Sequence, residues 1–525
     1  MESTKNRDES WMQVVREAFA QTDGSSQAMA LAIRRQLSTR PAGLRVAAAL
    51  VEGLTELARY ADEGPASTVD AIDLESEAMA VARRVVRPLL QAKMQARLDA
   101  LDEQLAGTTR CVECNGPMES QGRRGRSWDG VVGPLALKRR YSYCGPCAKG
   151  RAPAQEALGL PDGDFTPRLE EVCTMMATTV PFGTATSLVA KLCGIEVSVK
   201  AVEGMVERRA EQVVAIDHEE AVRCAPFDDG GLPVPTQERP VDAVPIEQIP
   251  KVAYLELDGV IPITREELTG KELLPADRRR QQRAKKNKVQ GGKGRRYRIV
   301  GREVKNAVLY DGKDCAAQSP GRGCILHKTY VSHLGDWLAF AALLWVAMLR
   351  MRFDKARLLV ILSDGAEWIR SLARWLPIDT LLILDLFHVK HRIWEVAHSL
   401  YGEHSEKAKQ WAHTQCERVE QAEANKVIES LRFLRPSRPE TCKLVDELAT
   451  YLTNNLDRMD YPAYRARGLR ISSGAVESAN YHVTGTRLKL QGMRWSAEGA
   501  GHMALLRADL FNCRWEARTK QLLAA

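Results

Sequence analysis

Three acidic residues in the second half of the sequence have the type and placement of ligands for divalent metal ions. Asp258 and Asp364 each follow an apolar segment typical of a buried strand, and each precedes a glycine. One Asp-Gly pair alone commonly forms a turn, but ligands gather at the carboxyl ends of strands that share a sheet. Glu477 lies in a helical pattern that begins near Ser473. We therefore expect both aspartates and this glutamate to meet at one sheet edge.

Glu477 stands at the margin of an amphipathic helix with an apolar and a polar face. The apolar face consists of Ala475, Val476, Ala479 and Val483, and the polar face of Glu477, Asn480, Tyr481 and Thr484. A capping box is excluded because Gly474, three residues before the acid, has no side chain to complete it. The remaining alternative is a carboxylate that only interacts with the helix dipole.

The chemistry that suits three carboxylates is binding of Mg²⁺ or Mn²⁺, which prefer oxygen ligands. Two such ions about 4 Å apart can activate an attacking oxygen and stabilise the leaving oxygen in a displacement at phosphorus. Asp385 also ends an apolar segment and is an alternative second ligand. His388 either orients a phosphate or satisfies the strand end, and both roles stay open.

Four cysteines form two Cys-x-x-Cys pairs. Cys111 and Cys114 are followed, after 29 intervening residues, by Cys144 and Cys147. Four thiolates at about 2.3 Å from one Zn²⁺ form a closed, structural site. The spacing exceeds the commonest one, and a redox pair or unrelated buried cysteines are the alternatives. We predict one structural zinc ion per chain.

The net charge of +8 is concentrated in one segment. Residues 278 to 305 include 13 basic residues and one acid, so this segment carries +12 and the rest of the chain −4. Its glycines and its lack of apolar periodicity predict a flexible loop that contacts phosphates, with an ordinary solvated loop as the alternative. Its candidate DNA contacts are Arg278, Arg279, Arg280, Lys285, Lys286, Lys293, Arg295 and Arg296.

The residue pattern predicts five segments along the chain. They are residues 1–108, helical; 109–150, a zinc ribbon; 160–222, helices that either form a DNA-reading helix-turn-helix or simply pack; 223–250, a proline-rich linker; and 251–525, an α/β domain with a helical insertion at about 392–468. The last segment begins with three strands, the third at residues 324–332, and its element order predicts a mixed sheet.

The cellular location follows from features that are missing. The longest apolar run, residues 337–349, is 13 residues long, and a membrane-spanning helix needs about 20. The first residues lack the apolar core of a signal peptide. Twelve cysteines without such a signal favour reduced thiols over disulfides. These features predict a cytoplasmic protein.

Several motifs follow one another in a distinctive order. They are Asp258-Gly, Asp364-Gly-Ala-Glu-Trp-Ile, Leu384-Asp-Leu-Phe-His, Ser473-Gly-Ala-Val-Glu-Ser-Ala-Asn, Arg487-Leu-Lys and Gly492-Met-Arg-Trp-Ser. Together they resemble bacterial insertion-sequence transposases of the DDE type, in particular the ISKra group. The resemblance extends over roughly residues 105–515, including the Cys-x-x-Cys pairs.

The resemblance implies an RNase H-like catalytic core with a helical insertion, strand cleavage by water, and strand transfer by the freed 3′-hydroxyl. It assigns Asp258, Asp364 and Glu477 as the acids that bind two metal ions, and it favours Asp364 over Asp385 because Asp364 ends the fourth strand. A homo-oligomer acting on DNA in the nucleoid is implied as well. The rival functions are a zinc-containing DNA-binding protein on an inert scaffold and a nuclease without strand transfer.

A set of four residues that follows Glu477 in the sequence consists of candidates for holding a DNA end. They are Arg487, Lys489, Arg494 and Trp495. Tryptophan can stack on an unpaired or terminal base, but a core position is the more common role for Trp495.

Overall fold

The computed structural model describes residues 43–62, 70–268, 278–279, 296–319 and 322–524. The chain divides into two compact units, one up to Met205 and one from Val206 onward. Five of the predicted DNA contacts lie outside the described residues, namely Arg280, Lys285, Lys286, Lys293 and Arg295.

The first unit contains a small antiparallel sheet with helices before and after it. Its helices are α1 (Gly43–Asp62), α2 (Ala71–Gln104), α3 (Pro153–Ala157), α4 (Pro167–Thr179) and α5 (Phe182–Cys193), and α6 (Val199–Cys224) begins in this unit. Its strands are β1 (Glu119–Gly130), β2 (Gly133–Cys144) and β3 (Lys149–Arg151), in the order β1-β2-β3. Gly194 ends α5 in the left-handed conformation, and the Ser198 hydroxyl accepts from the Ala201 N–H at 3.2 Å, so Ser198 caps the start of α6.

Side chains of α2 cover the open edge of β2. Gln95 accepts from the Lys138 N–H and donates to its carbonyl, both at 2.7 Å. One turn earlier Gln91 accepts from Ala136 at 3.1 Å, and two turns later buried Asp102 accepts from the Arg140 N–H at 3.0 Å. An uncovered strand edge exposes unpaired backbone groups that invite pairing with other chains. The long helix therefore protects the sheet edge as well as packing on it.

The second unit is built on a larger mixed α/β layer. Its strands are β4 (Val252–Val260), β5 (Ile263–Glu267), β6 (Tyr297–Gly301), β7 (Val304–Asp311), β8 (Cys315–Ser319), β9 (Arg322–Ile325), β10 (Thr329–Leu334), β11 (Leu358–Ser363) and β12 (Thr380–Leu384). Its helices after α6 are α7 (Trp337–Arg350), α8 (Glu367–Trp375), α9 (Leu386–Tyr401), α10 (Glu406–Glu420), α11 (Ala424–Phe433), α12 (Pro439–Asn454), α13 (Tyr461–Ala466), α14 (Gly474–Ala479), α15 (Thr486–Leu488), α16 (Ala497–Phe511) and α17 (Trp515–Ala524).

Five of these strands form one mixed sheet in the order β10-β7-β4-β11-β12. β10, β7 and β4 are antiparallel, whereas β11 and β12 run parallel to β4. In chain order this is the arrangement 3-2-1-4-5. The sequence pattern predicted a mixed sheet, and the structure confirms it.

The two faces of the sheet carry separate cores. Ala253, Leu255 and Leu257 of β4 pack on one face with α7 and α8. Tyr254 faces the opposite side, where α9, the following helices and α14 cover the sheet. Because side chains alternate along a strand, Glu256 and the acid at position 258 face this second side.

Among the described residues no helix is long and apolar enough to cross a membrane.

Two sequence expectations about the strands are wrong. Residues 324–332 do not form one strand: β9 pairs with β8 in a separate hairpin, and β10 starts at Thr329 as the third strand of the main sheet. The basic segment is not a loop throughout, because Tyr297–Gly301 is the strand β6, paired with β5. In both cases, strand pairing between segments, which periodicity does not report, decided the structure.

The proline-rich segment predicted as a linker at 223–250 belongs to the second unit. The Trp345 indole donates to the Thr236 carbonyl at 3.2 Å, and Arg239 forms a two-pronged ion pair with buried Asp354, at 2.7 and 2.9 Å. The Val244 N–H donates to the Arg350 carbonyl at 2.8 Å. The segment is therefore an extended cover fixed to α7 and the turn after it.

We predict that Trp345→Ala lowers the free energy of unfolding of the second unit by about 3–5 kcal/mol, because a large buried side chain leaves a cavity. Trp345 is fully buried and packs edge-on against Trp375. Trp345→Phe keeps most of the ring volume and loses the hydrogen bond to Thr236, so it should cost about 1 kcal/mol from that bond. Denaturant titration measures both changes, and equal costs would contradict the packing argument.

Candidate functional site

Three neighbouring parallel strands place an aspartate at the same level of the sheet. Leu257 of β4 pairs with Ser363 of β11, and Ser363 pairs with Leu384 of β12. The next residues along the three strands are Asp258, Asp364 and Asp385. Adjacent strands lie about 4.8 Å apart. The row of aspartates is therefore a direct consequence of strand register.

Asp258 occupies the first position of this row and is half-buried. Its strand continues to Val260, so Asp258 does not end it as the sequence pattern predicted. The carboxylate accepts from the Gly259 N–H at 2.7 Å and from the Asn480 side chain at 2.5 Å. Burial, with smaller contributions from Asp364 and Glu477, raises the pKa of Asp258 to about 6. The charge of this carboxylate is thus coupled to both other predicted acids.

Asn306 lies directly opposite Asp258 on β7 and supports it indirectly. Its side-chain amide donates to the Asn480 carbonyl oxygen at 2.7 Å and to the Thr484 hydroxyl at 3.0 Å. The Ser332 hydroxyl donates to its carbonyl oxygen at 2.6 Å. These hydrogen bonds orient Asn480 towards Asp258. The sequence pattern does not indicate this role of Asn306, because the role depends on the pairing of β4 with β7.

Asp364 and Asp385 differ in the burial of their carboxylates and in the hydrogen bonds that their oxygens accept. Asp364 is half-buried, and its side chain accepts from the Ala366 N–H at 3.0 Å. Asp385 is fully buried and caps α9, accepting from Phe387 at 2.6 Å on one oxygen. Its other oxygen accepts from the N–H of Ser473 at 2.8 Å and also from the Ser473 hydroxyl. Burial opposes its charge, but hydrogen bonds from His388 and Ser473 outweigh that effect and lower its pKa.

His388 lies between the acids. Its Nδ1 is 3.4 Å from Asp385 Oδ2 and 3.9 Å from Glu477 Oε1. The Asp385 carboxylate raises the pKa of His388 against the effect of burial, and Asp258 and Asp364 contribute in the same direction. The imidazole therefore lies near three aspartates that favour its charged form.

The helix that carries Glu477 begins at Gly474 and changes its winding after Ala479. Ala475, Val476, Ala479 and Val483 are buried as predicted, and the Glu477 side chain is 52% exposed. Residues Asn480–Gly485 form a π-helical turn, which is wider than an α-helical turn and is frequent at functional sites. The prediction that Thr484 lies on the polar face is wrong: the wider turn rotates it inward, onto Asn306.

Arg507 of α16 donates hydrogen bonds to the backbone of this turn. Its guanidinium donates to the carbonyls of His482 and Val483 and, at 2.8 Å, to the Thr486 hydroxyl. Arg507 is 4% exposed, and burial lowers its pKa to about 10. An unpaired backbone carbonyl in the interior costs free energy. The π-helical turn that points Asn480 at Asp258 is thus stabilised from outside the helix.

The described residues contain two groups of three or more potential ligands whose ligand atoms all lie within 4.8 Å of one another. One consists of Asp385, His388 and Glu477. The predicted triad of Asp258, Asp364 and Glu477 is wider than this limit. The predicted triad shares Glu477 with the group of Asp385, His388 and Glu477. The aspartates of both sets lie in the same row across the three strands.

The predicted DNA contacts after Glu477 have different environments. Arg487 is fully buried, and its guanidinium lies over the Trp495 ring, 4.8 Å from the centroid. Trp495 also extends the small β5-β6 sheet, with backbone hydrogen bonds to Ile263 and Arg265. Lys489 and Arg494 are exposed. Arg278, Arg279 and Arg296 of the basic segment are exposed as well.

The second ligand group is the set of four cysteines in the first unit. Cys111, Cys114, Cys144 and Cys147 bring their sulfurs within 4.8 Å of one another, and the set could bind zinc. The backbone N–H groups of Cys114 and Glu113 lower the pKa of the Cys111 thiol to about 7. A thiolate donor set of this kind fits a tetrahedral Zn²⁺ site.

The two Cys-x-x-Cys turns have the same backbone ending. Asn115 follows the first turn with φ 52°, and Ala148 follows the second with φ 50°. A non-glycine residue rarely adopts this left-handed conformation without a local reason. Here it turns the chain back after each second cysteine, so that both pairs of sulfurs point to one place.

No model of a known protein family matches the chain, and no curated protein matches it either. Among solved structures, the chain is similar to one described as the Drosophila P element transposase strand transfer complex. The identity is 9% and the TM-score 0.20, and the match covers 70% of this chain and 82% of that chain. A likeness at that score carries no argument about fold or function.

We predict that Cys114→Ser and Cys147→Ser lose the zinc of the purified protein, because three thiolates hold the ion less tightly than four. Elemental analysis should fall from about one zinc ion per chain towards none. Cys193→Ser is the matched control, since Cys193 lies in the same unit outside the group. Zinc-free wild-type protein would contradict the assignment.

Proposed function

We propose that this protein is a metal-dependent transposase that cuts DNA strands and joins a freed 3′-hydroxyl to a target strand. The observation that carries the proposal is the row of aspartates that the register of β4, β11 and β12 places side by side, near the exposed Glu477. Its sequence support is the resemblance of residues 105–515 to insertion-sequence transposases of the DDE type, in particular the ISKra group.

We also propose that the second unit is an RNase H-like core. What supports this is the strand arrangement 3-2-1-4-5, with three antiparallel strands followed by two that run parallel to the first. A second support is the helical insertion, since α9 to α13 stand between the fifth strand and the helix with Glu477. This order brings acids that are far apart in sequence to one sheet edge.

The residues proposed to hold two Mg²⁺ or Mn²⁺ ions are Asp258, Asp364 and Glu477. Carboxylate oxygens suit these ions, and Asp364 and Glu477 both help to raise the pKa of Asp258, which fits acids close enough to share cations. When bound, two such ions supply activation of the attacking oxygen and stabilisation of the leaving oxygen at phosphorus.

Asp364 is favoured over Asp385 as the second ligand. Both oxygens of Asp385 already accept hydrogen bonds, from Phe387 on one side and from Ser473 on the other. Asp364 is half-buried, and the Ala366 N–H approaches one of its oxygens. In this proposal Asp385 holds the N-cap residue of the helix with Glu477, and it also orients His388 towards the phosphate.

Two exposed aromatic side chains beside the acids favour a nucleic acid as the substrate. Phe387 is 65% exposed next to His388, and Tyr481 is 64% exposed next to Asn480. Exposed aromatic rings can stack on unpaired bases. Basic side chains of the zinc ribbon, exposed Arg124 and Lys138 among them, are proposed to anchor the DNA. Two element ends require more than one active site, so a homo-oligomer is proposed.

The catalytic acids can be tested with a duplex that contains the DNA bordering the coding sequence on both sides. In Mg²⁺ or Mn²⁺, Asp258→Asn, Asp364→Asn and Glu477→Gln should each lower the cleavage rate by more than the ~100-fold typical of groups that only orient metal ligands. Asp385→Asn should lower it less, because it keeps one oxygen acceptor for Ser473. Rates are read from strand cleavage on denaturing gels.

The products and the variants separate the alternatives. Joined strands support the transposase, and cut ends alone support a nuclease without strand transfer. DNA binding with no cleavage by the wild type supports a zinc-containing binding protein on an inert scaffold. Full activity of Asp364→Asn, with loss in Asp385→Asn, reverses the choice of the second ligand.

Lys489 and Arg494 are predicted to contact DNA phosphates. Lys489→Gln or Arg494→Gln should each reduce the slope of log affinity against log salt by about 0.9, because each phosphate contact releases one condensed counterion. Lys409→Gln is the control, since Lys409 is exposed on α10 and pairs with Glu406. Binding of a fluorescent duplex at several salt concentrations measures the slopes, and unchanged slopes would assign these residues to solvated surface.

A further inference from the structure

Glu256 is an acidic residue in the middle of a buried strand. It is fully buried, two residues before Asp258 and on the same side of the sheet. A buried carboxylate destabilises a fold unless hydrogen bonds satisfy it. Here the Tyr310 hydroxyl donates to Oε1 at 2.6 Å, and the Val476 N–H donates to Oε2 at 2.9 Å. Both oxygens are engaged by donors from other elements.

The Val476 N–H belongs to the first turn of α14, the helix that carries Glu477. First-turn N–H groups lack the regular partner four residues earlier in the helix. The Val476 N–H has two acceptors instead, the Ser473 carbonyl at 3.1 Å and, closer, Glu256 Oε2 at 2.9 Å. The side chain of the N-cap residue Ser473 is not an acceptor here, because it donates to Asp385 and makes no capping bond. Glu256 therefore accepts the hydrogen bond that a capping side chain would ordinarily accept.

The carboxylate of Glu256 is itself held in place. The Tyr310 ring stacks on Tyr254, with centroids 5.0 Å apart and planes at 12°. The Tyr254 hydroxyl accepts from the Arg470 N–H at 3.2 Å, and Arg470 Nε lies 4.0 Å from Glu256 Oε1. The Glu256 carboxylate is thus held by its own strand, by the stacked pair of Tyr254 and Tyr310, and by Arg470 in the segment before α14.

We infer that Glu256 is a positioning residue, which sets Glu477 relative to Asp258 by holding the Val476 amide one residue before Glu477. The inference rests on the proposed function in one respect, that Asp258 and Glu477 bind the same metal ions. Asp258 lies two residues after Glu256 on the same strand, and the Glu256 side chain binds the helix that carries Glu477. Glu256 therefore links Asp258 to Glu477. Groups that orient metal ligands without touching the metal typically contribute a factor of about 10–100 in metal affinity.

Two substitutions of Glu256 separate its length from its charge. Glu256→Gln keeps the length, and its amide can accept from Val476 while donating to Tyr310, so Mn²⁺ affinity should stay within about threefold. Glu256→Asp keeps the charge but is one methylene shorter, so its oxygens retreat from Val476 and Mn²⁺ affinity should fall by about 10–100-fold. Electron paramagnetic resonance of free Mn²⁺ in titrations of the full chain measures both without any assay of activity.

The matched control is Asp354→Asn. Asp354 is another buried acid of the same unit, it pairs with Arg239, and it lies outside the sheet edge with the acids. This control should lower the melting temperature and leave Mn²⁺ affinity unchanged. Circular dichroism of all variants reports whether each one folds.

Three results would overturn the inference. Loss of Mn²⁺ affinity in Glu256→Gln with retention in Glu256→Asp would mean that charge, not position, matters. Unchanged affinity in both folded variants would leave Glu256 a stability residue like Asp354. If Glu256→Asp does not fold, the Gln variant decides, and weakened binding overturns the inference. Wild-type protein that binds Mn²⁺ but does not cut DNA would instead sink the proposed function and leave the positioning role standing.

Discussion

The in-register pairing of β4, β11 and β12 is the interaction on which the second unit depends. It places three aspartates side by side, and like charges at that spacing repel one another. The surroundings that stabilise the carboxylate differ from one aspartate to the next. Asp385 is satisfied by hydrogen bonds, Asp258 receives the Asn480 amide, and Asp364 stays partly open to solvent. The helix with Glu477 docks where these three environments meet.

Much of this site could be predicted from the sequence because it follows local rules. Asp-Gly pairs after apolar segments mark one edge of the sheet, and the apolar positions from Ala475 to Val483 correctly oriented the helix with Glu477. The two Cys-x-x-Cys pairs were equally local signals, and their sulfurs lie together. In each case a few neighbouring residues contain the whole pattern.

What the sequence analysis missed depends on contacts between distant segments. Thr484 was assigned to the wrong face because a π-helical turn, supported by Arg507 from another helix, changes the winding. Asn306 acquires its role only when β7 pairs with β4. The sequence pattern assigned no role to Glu256, although a lone charge within an apolar segment was the available signal. Register and pairing, rather than composition, hold that information.

The distance along the chain between the two sides of the site has a consequence for how the protein is made. The hydrogen bonds from Asn480 to Asp258 and from Val476 to Glu256 join residues 222 and 220 positions apart. Loops of this length close late and slowly in folding. A chain still on the ribosome, with the three aspartates of the row already synthesised, would lack Glu477 and the helix that positions it. Assembly of the site is thereby delayed until the helix with Glu477 has been synthesised.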